Sequence, residues 1–436
     1  MNINKSMKSA AALAVAASML VVTACGSTSG SGSGDSAAPA DGKVKLTFTG
    51  WVPGIEEAVD LWNKENPDIQ VEFKRIASDA RKNYSTQIDA GTSGDILQMP
   101  AFDMVDYVID GQIQDISQYV SDDKDLFTDG AWSTAVLGDG IYGVPQDSAP
   151  TAFMYRKDIF EKYGVEVPKT WDEYLDAARK LHAADPNVYI AAFTPNDTAP
   201  FETDFLQYGG SWFETDGDSW KVTLDSEANQ KVAERYQTLL DEGLVKPVEI
   251  FTPEFWTAVN NGEIASFNYL AWFTTILKEN APDLSGKWAI SQAMSDDGNG
   301  PWSDDGGGIN VVTKNCKYPE QAAKFIVWLN SDPDSLEVLI GKGGLFPAAK
   351  AGFESEAMSA PSDYFSGQPI YDEFIKSANN LNSDGGITGP AITAGQTALQ
   401  EEFAKVVNGD ETFKEALTNA AAKLKKAAAD KGLSVK

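Results

Sequence analysis

Residues 44–73 read VKLTFTGWVPGIEEAVDLWNKENPDIQVEF and decide the fold class. Apolar and polar residues alternate from Val44 to Phe48, which is typical of a β-strand, and residues 69–73 resume the same period of two. Between these strands, apolar side chains recur at helical spacing until Pro67, which cannot continue a helix. A strand, a helix and a second strand form one β–α–β unit, so we predict parallel strands and a right-handed crossover.

Strands and helices continue to alternate beyond this unit. Residues 95–99 predict a buried strand, and a helix is predicted from Phe102 to Gly111. Residues 170–173 (TWDE) form a capping box that begins another helix. Residues 413–431 are rich in Ala and Lys and predict an amphipathic helix. Alternation on this scale predicts layered α/β architecture.

Length and composition limit the class of protein. A chain of 436 residues is long enough for at least two domains. With 42% hydrophobic and 23% charged residues it resembles an ordinary soluble protein, which excludes disorder, collagen and coiled coil as the main class. A net charge of −29 repels phosphate backbones, so we predict no general nucleic-acid binding. The single histidine, His182, argues against a His-rich metal centre and a Ser–His–Asp triad.

The first 24 residues have the features of a secretory signal peptide. Lys5 and Lys8 provide a positively charged start, and the run from Ala10 to Thr23 carries no charge. A membrane span needs about 20 apolar residues, so this run is too short to be one. We therefore predict that residues 1–24 direct export.

A lipid anchor is predicted directly after this segment. Residues 22–25 (VTAC) resemble the lipobox of bacterial lipoproteins, which implies cleavage before Cys25 and acylation of its thiol. An ordinary secreted protein with a chance cysteine at this position is the alternative. Residues 25–42 then form a predicted tether, and its Gly/Ser-rich part has a root-mean-square span of about 20–25 Å. Cys316 would be the remaining thiol, and we interpret it as a packing residue.

Familiar cofactor motifs are not supported. Gly138, Gly140 and Gly143 satisfy G-x-G-x-x-G, but Pro145 follows where a dinucleotide site needs a helix, so we predict a turn. No Walker phosphate loop is present in the sequence. We expect no cofactor and no bound metal.

Large aromatic residues stand outside the helical stripes and near the ends of strands. They are Trp51, Trp212, Phe213, Trp256, Trp272, Phe273 and Trp302. An aromatic side chain in a loop either covers a local core or faces a ligand, and for any single one packing is the simpler explanation. Five tryptophans near strand ends are harder to explain in this way. Aromatic faces suit the C–H faces of a pyranose ring, and nearby Asp, Asn, Gln and Glu can bind its hydroxyls.

Several stretches resemble extracellular solute-binding proteins family 1, which serve ABC sugar importers and have the fold of the maltose-binding protein. The central signature corresponds to residues 142–145 (YGVP), 154–160 (MYRKDIF), Gly164, Pro168 and 170–173. Later family segments are similar to residues 261–265 with Trp272, 306–310, 319–325 and 344–347. The likeness runs in order from about Val44 to the C-terminus. Gly94 departs from the proline that the family often has before the position of Asp95.

The resemblance implies a two-lobed, periplasmic-binding-protein-like α/β fold with the ligand in the cleft between the lobes. Lobe 1 would comprise residues 43–147 plus 305–345, and lobe 2 residues 152–304 plus 346–436. Residues 147–151 would form the first hinge. Such proteins close around the ligand by hinge motion.

The resemblance and the aromatic pattern together predict a set of ligand-binding residues. They are Trp51, Asp95, Gln146, Asp147, Trp212, Phe213, Trp256, Tyr269, Trp272, Trp302, Asp305 and Asn310. The expected ligand is an oligosaccharide, and the expected partners are the transmembrane permease subunits of an ABC importer. We expect a monomer without enzymatic activity, anchored by lipid on the extracytoplasmic face of a bacterial membrane.

Three other functions remain open at this stage. A secreted glycoside hydrolase would use paired carboxylates about 5–9.5 Å apart. A surface adhesin would bind polymer chains without closing a cleft. The same fold could also bind a polyamine, a metal or a peptide, although the many tryptophans favour a sugar over an anion.

Overall fold

A computed structural model describes residues 42–216, 219–381 and 389–436. The predicted signal peptide, Cys25 and all but the last residue of the tether lie outside the described residues. The strands are β1 (Val44–Gly50), β2 (Ile69–Arg75), β3 (Ile96–Pro100), β4 (Val136–Leu137), β5 (Gly140–Ile141), β6 (Val144–Pro145), β7 (Asp147–Ser148), β8 (Thr151–Arg156), β9 (Ala191–Phe193), β10 (Phe213–Asp216), β11 (Ser219–Val222), β12 (Val245–Pro247), β13 (Ser266–Leu270), β14 (Trp288–Gln292), β15 (Gly308–Val312) and β16 (Phe346–Pro347).

The α-helices connect and cover these strands. They are α1 (Ile55–Glu65), α2 (Tyr84–Asp89), α3 (Met104–Ile109), α4 (Ser117–Val120), α5 (Asp129–Ser133), α6 (Lys157–Tyr163), α7 (Trp171–Ala184), α8 (Ala199–Gln207), α9 (Glu227–Asp241), α10 (Pro253–Asn261), α11 (Phe273–Asn280), α12 (Pro319–Ser331), α13 (Pro333–Gly343), α14 (Glu356–Ser359), α15 (Tyr371–Ala378), α16 (Ile392–Val407) and α17 (Phe413–Asp430). Within the described ranges, no helix combines the length and the apolar character needed to cross a membrane.

The larger sheet has five strands in the order β2-β1-β3-β15-β6. β1 pairs in parallel with β2, with Val44 opposite Ile69, and α1 connects the two strands. The parallel strands predicted from residues 44–73 are therefore confirmed. Helix α1 buries Ala58 and Trp62 in the core beside this sheet, as their helical spacing predicts.

The smaller sheet has three antiparallel strands in the order β13-β8-β14. Its central strand β8 is covered on both faces. Phe153 packs in the apolar cluster that includes residues of α6 and α7, whereas Ala152 and Met154 pack in a second cluster. Burial on both faces explains why these three residues form a continuous apolar run instead of alternating with polar residues.

The chain passes between the two sheets along three segments. Residues 146–150 lead from β6 to β8, and residues 293–307 lead from β14 back to β15. A bridge between Pro150 and Asp304 joins these two segments. The third passage begins at β16, which pairs with β7 of the first segment. The protein thus has two α/β bodies connected by crossing segments.

The C-terminal helices α16 and α17 pack on each other, and α17 packs on α9. A capping box at Thr412 and Glu415 begins α17, and the Phe413 ring lies 5.1 Å from that of Phe193 between centroids. The helix predicted for residues 413–431 is confirmed. These two helices, from the C-terminal end of the chain, therefore cover the body that contains the smaller sheet, which we call the smaller-sheet body.

Local predictions can also be compared with the structure. The capping box predicted for residues 170–173 begins α7. Gly138 lies in the turn between β4 and β5, as predicted, with a φ of 59°. The helix expected from Phe102 is α3, which is preceded by a tighter 3₁₀ turn at residues 101–103. The placement of Trp256 outside a helix is wrong, because Thr252 caps α10 and Pro253 occupies its first turn.

Candidate functional site

One edge of the larger sheet collects the carboxyl ends of four strands, β1, β2, β3 and β6. β1 and β3 are parallel, and both β3 and β6 are antiparallel to β15, so β1, β3 and β6 run in the same direction. Trp51 follows β1 at this edge and Gln146 follows β6. Ligands of open α/β sheets bind beyond this kind of edge.

A chain of buried amides holds this edge together. The Gln98 side chain accepts a hydrogen bond from the Trp51 backbone N–H at 2.8 Å and donates one to Gln146 Oε1 at 2.7 Å. The Asn330 side chain donates to Asn310 Oδ1 at 2.7 Å. All four amide side chains are buried. Gln146 and Asn310 are both predicted to bind ligand. In this conformation their side chains instead form hydrogen bonds that stabilise the carboxyl-end edge of the larger sheet.

Two aspartates fasten the crossing segments to each other. Asp147 Oδ1 accepts a hydrogen bond from the Gly308 N–H at 2.9 Å. Asp304 Oδ1 accepts from the N–H groups of Ala149 and Gly306, each at 2.9 Å. Burial raises the pKa of Asp147 to about 7, although the bond from Gly308 acts in the opposite direction. The predicted ligand residue Asp147 thus lies at the start of the connection between the two sheets.

Three further carboxyl groups form what we name the acidic cluster. Its members are Asp197, which follows β9, Glu202 in the first turn of α8, and Asp305 in the second crossing segment. The Tyr269 hydroxyl donates a hydrogen bond to Asp197. The Gln396 side chain donates to Glu202 Oε1 at 3.2 Å. Predicted residues Tyr269 and Asp305 therefore meet in one place, together with carboxylates that the sequence did not single out.

Glu202 and Asp305 of the acidic cluster are buried, Asp197 is partly exposed, and the charges of the cluster repel one another. Burial raises the pKa of Asp305 well above its usual value, and the negative charges of Glu202, Asp304 and Asp197 raise it further. Burial also raises the pKa of Glu202 to about 7. Asp305 Oδ1 is buried without a hydrogen-bond partner among the described residues. Carboxyl groups that titrate near neutral pH can donate to or accept from hydroxyls, or can balance a cation.

Trp272 is the partly exposed aromatic residue that the structure places beside this cluster. It stands between β13 and α11, and its ring meets the Tyr269 ring edge-on, with centroids 5.3 Å apart and an interplanar angle of 81°. Tyr269 is buried, whereas Trp272 and Trp51 are partly exposed. An aromatic face beside hydrogen-bonding carboxyl groups is the combination that a sugar ring requires.

Two predicted residues are buried in the core instead. Trp212 has no exposed surface, and α16 packs so closely that a Cβ on Gly395 would lie 3.0 Å from the indole ring. Phe213 is also buried, and a Cβ on Gly389 would lie 2.2 Å from its ring. The C-terminal segment that covers both residues is distant in sequence, which is why the prediction of an exposed pair is not supported.

Trp302 and Asp95 also occupy positions that differ from the prediction. Trp302 is buried, and its indole N–H donates to the Ala293 carbonyl at 2.8 Å. Asp95 precedes β3, at the end of the strand opposite to the carboxyl edge, and accepts a hydrogen bond from the Thr47 N–H at 2.8 Å. Both side chains stabilise local structure in this conformation, so we leave them out of the proposed site.

Two residues of the site, Glu202 and Asp197, were not predicted from the sequence because a common structural role explains each of them. Glu202 stands in the first turn of a helix, where a carboxylate simply suits the helix dipole. Asp197 lies in a Pro-Asn-Asp turn, where aspartate is common. Gln98 gave a clearer signal, because it interrupts an otherwise apolar buried strand.

Metal and thiol chemistry find no support in the described part of the chain. No group of three or more His, Cys, Asp or Glu side chains there is arranged to hold a metal ion. Cys316 is a buried free thiol, and burial raises its pKa to about 12. A thiol that stays protonated and buried is a packing residue, which confirms the interpretation made from the sequence.

Comparison with known proteins gives a consistent result. Residues 47–334 match the bacterial extracellular solute-binding protein family. The solved galacto-N-biose-/lacto-N-biose I-binding protein of the ABC transporter from Bifidobacterium longum, in complex with lacto-N-biose, is 29% identical with a TM-score of 0.82, and the match covers 91% of this chain and 99% of that one. This likeness confirms the predicted two-lobed α/β fold.

Two relatives known from sequence are similar over shorter parts. The arabinooligosaccharide-binding protein of Halalkalibacterium halodurans is 25% identical over 357 residues, which are 77% of this chain and 78% of the relative. An uncharacterized lipoprotein of Streptomyces antibioticus is 28% identical over 52% of this chain and 51% of its own length. The family match spans both sheets and the first two crossing segments.

Proposed function

Because this chain belongs to the bacterial extracellular solute-binding proteins and acts outside the cytoplasm, we propose that it captures an oligosaccharide and delivers it to the transmembrane subunits of an ABC importer. The observation that carries the proposal is the partly exposed Trp272 next to the acidic cluster. Relatives that bind lacto-N-biose and arabinooligosaccharide support a ligand of at least two sugar units.

The ligand would lie between two lobes with the boundaries expected from the sequence. Lobe 1 is residues 43–147 plus 305–345, and lobe 2 is residues 152–304 plus 346–436. Residues 147–151 act as the first hinge, and the protein works as a monomer. A ligand that touches both lobes favours the closed state, because its contacts are complete only there.

Isothermal titration calorimetry against a panel of neutral di- to tetrasaccharides tests this function. We expect saturable binding of at least one sugar at one site per chain. The same mixtures, analysed afterwards for new reducing ends, should show none. New reducing ends would indicate a glycoside hydrolase, and failure to bind any sugar of the panel would contradict the proposal.

One observation favours a second class of ligand. Among the described residues, the charges that act on Asp305 are those of the carboxyl groups of Glu202, Asp304 and Asp197, so this part of the chain supplies no cation that balances Asp305. A protonated amine could supply that balance. Spermidine and putrescine therefore belong in the calorimetric panel, and polyamine binding without sugar binding would replace the first proposal by this one.

We also propose that the protein is anchored through acylated Cys25, which lies outside the described residues. The lipobox-like residues 22–25 and the similarity to a Streptomyces lipoprotein support this proposal. Cys25→Ser should release the protein from cell membranes into the medium, because the residue that carries the lipid is lost. Fractionation followed by immunoblotting measures this. Cys316→Ser is the control, and membrane retention of Cys25→Ser equal to that of the wild type would contradict acylation as the anchor.

A further inference from the structure

Phe251 presents an aromatic ring to solvent from a strained backbone. In the described ranges it and Leu126 are the exposed large hydrophobic residues, with 46% of Phe251 accessible. Its φ is 65°, in the left-handed region that bulky residues rarely adopt. The ring packs near other aromatic rings, but almost half of the residue still faces solvent. Strain at a residue that stays this exposed points to a role at a binding site.

The backbone around Phe251 is held in place on both sides. The N–H of Ile250 donates to Asn196 Oδ1 at 2.9 Å. Thr252 caps α10 by accepting a hydrogen bond from the Phe255 N–H at 3.2 Å. The ring is therefore preorganised, so a ligand that stacks on it does not have to order a mobile loop.

Other aromatic rings connect Phe251 to the candidate site. Its ring centroid lies 6.3 Å from that of Trp256 and 6.4 Å from that of Phe273. Phe273 in turn lies 6.2 Å from Trp272 and 4.8 Å from Tyr269. A single buried ring, that of Phe273, thus separates the exposed Phe251 from the aromatic residues of the site.

We propose that Phe251 forms an outer subsite, on which one further sugar ring of the bound oligosaccharide stacks. This rests on the proposed function and adds that the protein prefers chains longer than a disaccharide. Asn196, which positions the Phe251 segment, directly precedes Asp197 of the acidic cluster, so the two places share one turn. Glu249 and Glu254 stand on either side of Phe251 in the sequence, are exposed, and can accept hydrogen bonds from sugar hydroxyls.

The test is calorimetry with arabino-oligosaccharides and galacto-oligosaccharides of two to five units. Phe251→Asn removes the ring but tolerates the left-handed backbone, so the protein should still fold, with a melting temperature lowered at most modestly by the lost aromatic contacts. Loss of one stacking contact should weaken binding of the longer chains by about twofold to tenfold and leave the disaccharide unaffected. Phe251→Tyr keeps an aromatic face and should retain wild-type affinity at every length. Leu126→Asn, at the other exposed apolar side chain, is the matched control and should change nothing.

The outcomes separate this inference from the proposed function. If the wild type binds sugars but Phe251→Asn loses affinity equally for all lengths, or for none, the outer subsite is wrong and the proposed function stands. Unchanged sugar affinity combined with weakened import would assign the exposed ring to a protein partner instead. If the wild type binds none of these sugars, the proposed function fails, and the outer subsite fails with it.

Discussion

At the scale of single residues, Trp272 and Trp212 show how the same side chain can serve different purposes. Both lie near the end of a strand or turn in the smaller-sheet body. Trp212 has no exposed surface, whereas Trp272 keeps part of its ring exposed next to Tyr269. Burial therefore predicts that one tryptophan contributes to stability and the other to ligand binding.

Trp272→Ala should weaken sugar binding by at least about tenfold, equivalent to roughly 1.4 kcal/mol, because the sugar loses a stacking face and its apolar burial. The melting temperature without ligand should fall only modestly, since the ring is not fully enclosed. Calorimetry and thermal unfolding of the same variant measure the two effects. Lost stability with retained affinity would show that Trp272 is a packing residue.

Trp212→Ala is the matched comparison for that experiment. Removal of a fully buried tryptophan should lower the free energy of unfolding by about 3–5 kcal/mol. Its ligand affinity, measured at a temperature where the variant is folded, should remain near that of the wild type. A large loss of affinity in the folded Trp212 variant would show that this residue contributes to ligand binding after all.

At the scale of elements, the crossing segments depend on a close approach of two backbones. Gly307 has a φ of 64°, and a Cβ at this position would lie 2.0 Å from the Asp147 carbonyl oxygen. No side chain can be added there unless the two crossing segments move apart. These segments carry Asp147 and Asp305, so their spacing also sets the position of the acidic cluster relative to the larger sheet.

Gly307→Ala should lower the free energy of unfolding by at least about 1–3 kcal/mol, because both the backbone conformation and the available space oppose a methyl group. Urea unfolding measures this. Gly130→Ala is the control: Gly130 lies in α5 with nothing within 4 Å of the added Cβ, so this change should be neutral or stabilising by up to about 1 kcal/mol. Equal stability of the two variants would contradict the close approach.

The elements themselves were largely predictable, whereas the surroundings of individual side chains were not. Alternation, capping and amphipathic patterns act within a few residues, so they predicted β1, α7 and α17 correctly. The burial of Trp212 depends on Gly395, far along the chain, and no local pattern contains that contact. The acidic cluster was unpredictable for the same reason. Asp197, Glu202 and Asp305 belong to separate elements, and only the tertiary structure brings them together.

At the scale of the whole molecule, buried carboxyl groups should make stability depend on pH. Asp147 and Glu202 each have a folded-state pKa of about 7, raised chiefly by burial, whereas the unfolded chain titrates near pH 4. Between these values the folded state binds more protons than the unfolded state. The free energy of unfolding should therefore fall as pH rises from about 4.5 to 7, by up to about 1.4 kcal/mol per pH unit for each group.

Urea unfolding at several pH values between 5 and 8 measures this slope. Asp147→Asn combined with Glu202→Gln should make it shallower, because neither amide titrates, while Asp305, whose pKa burial also raises, still contributes to it. Glu57→Gln is the control, since Glu57 is exposed and its pKa is lowered by its hydrogen bond with Lys342, so it acts at lower pH. A wild-type stability that rises across this range would show that these carboxyl groups are not protonated in the folded protein.

Contacts other than the crossing segments also join the two bodies. Lys431 of the C-terminal region lies 2.8 Å from Asp106 Oδ1 and 3.2 Å from Asp110 Oδ2, both measured from its Nζ. The Thr393 hydroxyl donates to Asp103 Oδ1 at 3.0 Å. Asp103 lies in the turn before α3, Asp106 lies in α3, and Asp110 directly follows it. Thr393 lies on α16 and Lys431 directly follows α17. Under the proposed hinge motion, an opening that moves these elements apart would break these contacts, so we predict that they stabilise the closed state.

Lys431→Ala combined with Thr393→Val should therefore reduce ligand affinity without touching the ligand. An exposed ion pair and one hydrogen bond together are worth about 1–2 kcal/mol, which corresponds to roughly a fivefold to thirtyfold loss. In small-angle scattering, ligand should reduce the radius of gyration of the wild type, and the double variant should need more ligand to reach the same compact form. Lys423→Ala is the control, because Lys423 pairs with Glu401 and Glu402 within the α16–α17 hairpin. If both the double variant and Lys423→Ala bind ligand and become compact like the wild type, the contacts between α3 and the C-terminal region do not contribute to closure. In that case the closed state is held by the ligand alone.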